Sequence, residues 1–213
     1  MKRVLQVIGW VMNRIVKTPG NIAAWVANLT TPIVRGRVVC WAYNFQQYSC
    51  NPRYLTEYLL ENNPEFEIWW VLRKGVDASQ LPANIKVVRF RTWAYMKAMA
   101  SAEFLITNAR TDPHRIYWHK RRGQKYFMLW HAGVALKRIE ADAADKLSFS
   151  YLQRAKADSR VCDLMISGCR MQTTLQREKF WYDGEILERG IPRNDIFFDT
   201  SRHEAIRHRI AQQ

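Results

Sequence analysis

The chain has 213 residues, of which 48% are hydrophobic and 13% aromatic, and its formal net charge is +14. This composition excludes a disordered chain and predicts one large or two small domains with a sizeable core. The excess of positive charge indicates anionic partners, namely nucleic acid, an anionic membrane surface or phosphorylated substrates. Cys40, Cys50, Cys162 and Cys169 show no CxxC spacing. We therefore predict neither a zinc site nor a redox motif and interpret them as reduced thiols of a cytosolic protein.

The N-terminal segment is basic and contains no Asp or Glu before residue 38. Apolar residues recur at helical spacing over residues 4–15, and a second apolar helix is expected over residues 22–29. No secretory signal is indicated, and the uncharged run 18–34 is too short and too polar to span a bilayer. A basic helix with one apolar face is typical of a membrane interface, and the alternative is an ordinary helix packed on the domain. We predict that residues 1–34 form a basic amphipathic, membrane-docking segment.

From Arg37 onward, short apolar runs alternate with helical patterns. The predicted strands span residues 38–43, 67–72, 85–90, 104–107, 126–130, 164–167 and 186–188. The predicted helices span residues 52–61, 93–101, 134–139, 147–157, 171–181 and 201–211. Strands that are apolar on both faces and alternate with helices predict an α/β fold with a parallel, doubly wound sheet. This domain is expected over residues 35–199, followed by a helical segment at 200–213.

Polar residues and glycines follow several of the predicted strands. Asn108 and Arg110 follow one strand, His131 follows the next, and Ser167 ends another. In open α/β sheets, ligands bind outside the carboxyl ends of the strands. The sequence therefore predicts the functional site at this edge of the sheet.

Two longer motifs carry a resemblance to a known family. LWHAGVALK covers residues 129–137, and ILERGIPRNDIFF covers residues 186–198. Shorter matching motifs are NPRYL at 51–55, WWV at 69–71 and ITN at 106–108. Together they resemble the CDP-glycerol glycerophosphotransferase family, whose members build teichoic-acid-like polyol-phosphate polymers. The resemblance spans residues 38–199, with one departure: Ile139-Glu140 stands where family members often have Phe-Gly.

The resemblance implies an enzyme, and specifically the Rossmann-like, N-terminal, acceptor-side half of a two-domain transferase of the GT-B type. It implies transfer of a polyol phosphate from a CDP-activated donor to the hydroxyl of a lipid-linked or polymeric acceptor, in cell-wall or capsular polymer synthesis. The expected location is peripheral, on the cytoplasmic face of the cell membrane and against its anionic surface. This chain alone is expected to turn over poorly, because it contains no GxGxxG-type phosphate loop. No cofactor and no metal site are predicted.

His131 is predicted as the catalytic base, because the ordinary pKa of histidine suits removal of a proton from an acceptor hydroxyl. Alternatively, its neutral ring bonds a phosphate oxygen. Arg193 suits bidentate phosphate binding, although residues 190–195 also fit a rigid turn. The full set of predicted substrate- or phosphate-binding residues is Asn108, Arg110, Gly133, Lys137, Ser167, Gly190, Pro192, Arg193, Asn194 and Asp195.

Two other classes of function remain open at this point. One is half of a GT-B sugar transferase that uses a nucleotide sugar, which would share the fold. The other is a non-catalytic basic module that binds a membrane or nucleic acid. Nucleic acid is disfavoured, because no helix-turn-helix, RRM or zinc pattern is present. The basic segment 115–125 is expected either to meet a polyanionic acceptor or lipid headgroups, or to be a solvated loop.

Overall fold

A computed structural model describes residues 2–212, which begin with two helices and then alternate strands with helices. The helices are α1 (Lys2–Val16), α2 (Thr18–Thr30), α3 (Cys50–Asn62), α4 (Trp93–Ser101), α5 (Phe149–Val161), α6 (Arg170–Lys179) and α7 (His203–Ala211). The strands are β1 (Arg37–Trp41), β2 (Glu67–Leu72), β3 (Lys86–Arg89), β4 (Phe104–Thr107), β5 (Lys125–Met128), β6 (Leu164–Ser167) and β7 (Glu185–Glu188). Short 3₁₀ helices cover Tyr43–Phe45, Glu140–Ala143, Pro192–Phe197 and Thr200–Arg202. The outermost residues of the predicted terminal segments, Met1 and Gln213, lie outside the described residues.

The seven strands form one parallel sheet in the order β3-β2-β1-β4-β5-β6-β7. The chain builds outward from β1 to β3 and then crosses back to place β4 on the other side of β1. The strand order therefore reverses between β1 and β4, and ligands of open α/β sheets bind at such a point. The predicted α/β fold with a parallel sheet is confirmed.

The central strands of the sheet are buried on both faces, to which successive side chains point in turn. In β1, Val39 and Trp41 belong to one apolar core, whereas Val38 and Cys40 belong to the other. Burial on both faces explains why these strands are continuous apolar runs in the sequence rather than alternating ones.

The two N-terminal helices present apolar side chains away from the domain. Leu5 and Ile8 of α1 are 62% and 52% exposed, and Trp25 and Leu29 of α2 are 58% and 66% exposed. The buried side of α2 carries small or polar residues instead, namely Asn21, Ala24 and Ala27. Among residues 2–212, no helix combines the length and the apolar character that a membrane span requires.

The basic loop before β5 is fastened to α2 by backbone carbonyls. The side-chain amide nitrogens of Asn21 and Asn28 donate hydrogen bonds of 2.9 Å to the carbonyl oxygens of His114 and His119. Much of this loop therefore packs against the N-terminal helices, and Arg115 and Arg122 are among its exposed basic residues.

One predicted helix is wrong, because residues 134–139 form an irregular, bent segment rather than a helix. So short a helix forms few backbone hydrogen bonds, and these do not offset the conformational entropy that is lost when its dihedral angles are fixed. Leu136 is 96% exposed, so apolar packing does not compensate for that cost. Lys137 consequently lies on an exposed loop and not at a helix C-terminus.

Candidate active site

His131 lies just beyond β5, at the carboxyl edge of the sheet. Its Nδ1 atom is 3.0 Å from the backbone carbonyl oxygen of Asn108, which follows β4. A carbonyl oxygen can only accept a hydrogen bond, so Nδ1 carries the hydrogen. In the neutral ring, Nε2 then keeps its lone pair and can accept a proton.

Several residues around His131 adopt the left-handed backbone conformation that non-glycine residues rarely take. They are Tyr43, Asn44, Phe45, Cys50 and Trp130, with φ between 43° and 69°. Such conformations are costly and persist where the surrounding structure enforces them, which is common at functional sites. They bring the turns that follow β1 and β5 together at the point of strand reversal.

Asn108 is fully buried and connects β4 to β1. Its Oδ1 atom accepts a 3.0 Å hydrogen bond from the backbone N–H of Tyr43. Its Nδ2 atom finds no hydrogen-bond partner among the described residues. The predicted contact between the Asn108 side chain and substrate is therefore corrected, because a buried side chain cannot reach a ligand at the edge. Asn108 instead fixes the Tyr43 turn and supplies the carbonyl that orients His131.

Asn51 is a site residue that the sequence motifs did not single out by role. This buried side chain donates hydrogen bonds of 3.0 Å and 2.8 Å to the carbonyl oxygens of Leu129 and Trp130. Its Oδ1 atom accepts a 3.3 Å hydrogen bond from the backbone N–H of Arg193. Asn51 thus holds the His131 segment against the Pro192–Phe197 turn. Its sequence signal was the NPRYL motif at a helix start, which gave no indication of this role.

Arg193 is brought to the same edge by this turn. Its guanidinium lies 3.5 Å from Cys50 Sγ, and the ring of Tyr43 lies 5.8 Å from the ring of His131. Burial, and then the neighbouring Cys50 thiol, raise the pKa of Tyr43 to about 12, against an opposing effect of Arg193. Arg193 forms no ion pair with a carboxylate in the described part of the chain. Its charge therefore remains available to a phosphate near His131.

Gly168 makes room for Ile191, which immediately precedes this turn, whereas Gly133 lies at ordinary contact distance from it. A Cβ atom on Gly168 would lie 2.6 Å from Ile191 Cγ1, which is too close for any side chain. A Cβ atom on Gly133 would lie 3.4 Å from Ile191 Cδ1. Gly190 itself has a φ of +119°, a conformation that favours glycine. Gly168 and Gly190 thus shape this edge of the sheet, and the role of Gly133 and Gly190 in substrate binding stays a prediction.

Arg110 does not bind phosphate as predicted, because its guanidinium is already neutralised. Its side chain is 8% exposed and forms ion pairs of 3.1 Å with Glu140 and Asp158. It also donates to Ser159 Oγ and to the Phe180 carbonyl oxygen. Burying a charge requires such pairing and hydrogen bonding. Arg110 is therefore a buried structural cation behind the site.

Glu140 stands at the position where family members often have the glycine of Phe-Gly, and other contacts hold it there. Its φ is +52°, a conformation that glycine adopts without cost. Here the carboxylate is held by Arg110 and by a 2.6 Å hydrogen bond from the Tyr151 hydroxyl. The loop that starts at His131 is thus anchored at both ends to the segment after β4.

The remaining predicted residues are not all gathered at His131. Ser167 is fully buried, and its hydroxyl bonds the Cys169 carbonyl oxygen at 2.8 Å and Thr173 Oγ1 at 2.9 Å. It stabilises the start of α6 and is not free to bind phosphate, which corrects that prediction. Of the other four, Lys137 lies on the exposed loop, Pro192 and Asp195 line a small cleft against α3, and Asn194 is an exposed residue of the same turn.

A groove of about 430 Å³ opens on one side of His131. Trp130 and Tyr151 form part of its wall, and the cations that line it besides Arg110 are Arg73, Arg91, Arg115 and Arg154. The edge of the sheet thus combines a ring nitrogen that can take a proton with cations on either side of it. This arrangement suits transfer chemistry on phosphorylated substrates, which depends on positioning and charge stabilisation.

The profile of the family described as CDP-Glycerol:Poly(glycerophosphate) glycerophosphotransferase matches residues 24–213. This chain belongs to that family. The match covers the whole sheet and the site, whereas α1 lies outside it.

Curated relatives support the assignment. The teichoic acid poly(glycerol phosphate) polymerase of Bacillus subtilis is 28% identical over 180 residues, which is 82% of this chain and 24% of the relative. The teichoic acid glycerol-phosphate transferase of Staphylococcus aureus is 29% identical over 160 residues, which is 72% of this chain and 40% of the relative. This chain spans less than half the length of the curated relatives it matches.

Solved structures of the wall teichoic acid polymerase TagF share the fold. One of them superposes with a TM-score of 0.77 at 23% identity, covering 99% of this chain and 54% of that one. A second, with a TM-score of 0.74 at 24% identity, covers 96% of this chain and 50% of that one. This chain therefore corresponds to about half of each of these TagF chains.

Proposed function

We propose that this chain is the acceptor-side part of a transferase that moves glycerol phosphate from CDP-glycerol to the hydroxyl of a growing acceptor. Family membership supports the class of reaction. The single observation that supports a reaction site at the carboxyl edge of the sheet is the contact of His131 Nδ1 with the Asn108 carbonyl oxygen. This contact directs the basic Nε2 atom of the neutral ring away from Asn108. Nε2 can then take a proton from a substrate hydroxyl.

In the proposed reaction, the acceptor hydroxyl attacks the β-phosphorus of CDP-glycerol. A new phosphorus–oxygen bond forms, the bond to the bridging oxygen breaks, and CMP leaves with that oxygen. His131 Nε2 takes the proton of the attacking hydroxyl. Arg193 stabilises the negative charge on the phosphoryl oxygens, a contribution that matters more than covalent chemistry in phosphoryl transfer.

We further propose that this chain supplies one half of a two-domain, GT-B-type enzyme. The strand order is that of a Rossmann-like sheet. The TagF chains that share this fold are about twice as long. The partner half would carry most of the contacts to the cytidine nucleotide.

The N-terminal helices are proposed to dock on the anionic, cytoplasmic surface of the cell membrane. An ordinary packed helix turns its apolar face to the core, whereas α1 contacts α5 through Trp10, whose ring lies 6.0 Å from that of Phe149. The stripe containing Leu5 and Ile8 faces outward. Arg14 and Lys17 add charge complementarity to anionic lipids. The protein would then be peripheral and close to a lipid-linked acceptor.

Release of CMP tests the proposed function against the two other classes. The assay uses a chimera in which this chain replaces the equivalent half of a TagF polymerase, with this chain alone as the comparison. We expect CMP release from CDP-glycerol that depends on a glycerol-phosphate acceptor, and little release by this chain alone. Sugar transfer from a nucleotide sugar would instead indicate the GT-B sugar transferase. Binding of DNA without any transfer would indicate the nucleic-acid module.

A further inference from the structure

Two cavities adjoin between His131 and helix α1. The groove beside His131, about 430 Å³, ends at Asp112, Arg115 and Arg154. A second cavity of about 280 Å³ is lined by the same three residues and continues between α1 and α5, where Trp10 forms part of its wall. Because the two cavities share these three residues, they lie side by side, and together they extend from the sheet edge to the N-terminal helices. We refer to the two cavities together as the arginine channel.

Most cations of the arginine channel are not neutralised by the protein. Arg14, Arg73, Arg91, Arg115 and Arg154 line it, and none of them forms an ion pair with a carboxylate that the structure describes. Arg110 also reaches the channel wall, but its charge is satisfied by its two buried carboxylates. This distribution differs from an ordinary surface, where charges of both signs are interspersed.

Asp112 is the acidic residue among the described residues that line the channel. Its Oδ1 atom accepts hydrogen bonds of 3.2 Å and 3.4 Å from the backbone N–H groups of His114 and Arg115. The carboxylate therefore helps to fix the turn that follows it. One carboxylate leaves the channel with a large excess of positive charge.

Aromatic rings orient these guanidinium groups without neutralising them. Arg14 lies 4.6 Å from the Trp10 ring and Arg154 lies 5.8 Å from the Tyr151 ring. Arg91 lies 5.1 Å from the Phe90 ring. A ring beneath a guanidinium attracts it through its quadrupole but carries no net charge. The N–H groups at the edges of these guanidiniums remain able to bind an anion in the channel.

The cations are also crowded against one another. Burial, and then the neighbouring guanidinium of Arg115, lower the pKa of Arg154. Burial, followed by Arg91 and Arg115, lowers the pKa of Lys17, which lies between α1 and α2. Cations that oppose one another in this way are relieved by an anion placed between them.

We propose that the arginine channel binds the phosphodiester groups of the acceptor, a polyol-phosphate chain with more than one phosphate. Its terminal hydroxyl would lie at His131, its phosphates would follow Arg154 and Arg115, and its opposite end would approach α1. This inference rests on the proposed function. The channel is distinct from the surroundings of Arg193, since Tyr43, Cys50 and Arg193 are not among its lining residues. In this proposal, His131 lies between two cationic regions: the arginine channel binds the acceptor, and the surroundings of Arg193 bind the phosphates of the donor.

The test measures binding of a soluble, dye-labelled oligomer of glycerol phosphate without a lipid, by fluorescence anisotropy on this chain. The variant is Arg115→Gln with Arg154→Gln. The matched control is Arg170→Gln with Arg177→Gln, which removes the same charge from α6 at a different surface cavity. We expect the channel variant to weaken binding about tenfold to a hundredfold, the worth of hydrogen bonds to charged groups. The control should bind like the unmodified chain, and the salt dependence should become shallower only in the channel variant.

A second arm separates the acceptor chain from lipid headgroups. Vesicles of phosphatidylglycerol should bind the channel variant nearly as well as the unmodified chain. Loss of vesicle binding with unchanged oligomer binding would overturn the proposal and indicate a headgroup site. Equal losses in both double variants would also overturn it and indicate unspecific attraction.

Arg91→Gln, at an exposed turn, repeats the test should the double variant not fold. Acceptor-dependent CMP release by the chimera without oligomer binding in the channel would refute this inference alone, whereas oligomer binding without any glycerol-phosphate transfer by the chimera would refute the proposed function.

Discussion

The Nδ1 atom of His131 lies 3.0 Å from the backbone carbonyl oxygen of Asn108. These residues follow the neighbouring strands β5 and β4, and the side chain of Asn108 extends the connection to β1 through Tyr43. The ring of His131 is therefore oriented by backbone atoms that the sheet itself fixes. Orientation of a catalytic group by rigid elements is what efficient transfer requires.

Asn108→Ala should reduce turnover without abolishing binding of the donor. The substitution removes the acceptor of the Tyr43 N–H, so the turn is released and the carbonyl opposite His131 shifts. A displacement of about 1 Å at a reacting group can cost about a hundredfold in rate. The measurement is kcat and KM of the chimera, with Asn84→Ala, an exposed asparagine in the turn before β3, as the control. An unchanged kcat in Asn108→Ala would contradict the positioning role.

Asp158 should make stability depend on pH. Burial raises its pKa from 3.8 to about 6, against the opposing effects of Arg110 and the Tyr126 hydroxyl. A carboxyl whose pKa is higher in the folded state stabilises the fold below about pH 4, and this contribution is lost as the pH rises through about 6. Relative to Asp158→Asn, the free energy of unfolding of the unmodified chain should therefore fall as the pH rises from about 4 to about 7.

Urea unfolding of both proteins at a series of pH values measures this difference. Because the comparison is made between two proteins at each pH, the titration of carboxyl groups distant from Asp158 cancels. Parallel profiles of the two proteins from about pH 4 to about pH 7 would show that the pKa of Asp158 is not raised by folding.

Ile8→Glu should weaken binding to anionic vesicles. This residue of α1 is 52% exposed, and burial of such a side chain in the membrane interface contributes about 1.5–3 kcal/mol. Met171→Glu on α6 is the matched control, because it replaces a residue that is 62% exposed with the same charge. Co-sedimentation with phosphatidylglycerol vesicles should drop about tenfold or more for Ile8→Glu only. An equal loss in both variants would argue against docking through α1.

The sequence predicted the sheet well because its strands are local apolar runs. The bounds of β4, Phe104–Thr107, were predicted correctly, since both of its faces are buried and polar residues follow it. The segment 134–139 was mispredicted because its helical pattern has no partner surface to pack on. Exposure of Leu136 depends on the tertiary fold and leaves no local signal.

The site was predicted less completely, because its contacts join distant parts of the chain. The positions of His131 and Arg193 at one edge followed from strand ends and motifs. The bond between Arg193 and Asn51 spans 142 positions, and no spacing rule predicts it. Arg110 was assigned to phosphate because a strand-end arginine gives no indication that two distant carboxylates neutralise it.

Replacement of His131 tests the central claim most directly. In the chimera, His131→Ala should lower kcat about 100- to 10,000-fold, the usual contribution of general acid–base catalysis. The KM for the acceptor should change little, because the lost interaction belongs mainly to the transition state. His131→Gln should not restore activity, since an amide donates a hydrogen bond but does not take the proton. Turnover near that of the unmodified enzyme in His131→Ala, or full activity in His131→Gln, would contradict the assignment of His131 as the base.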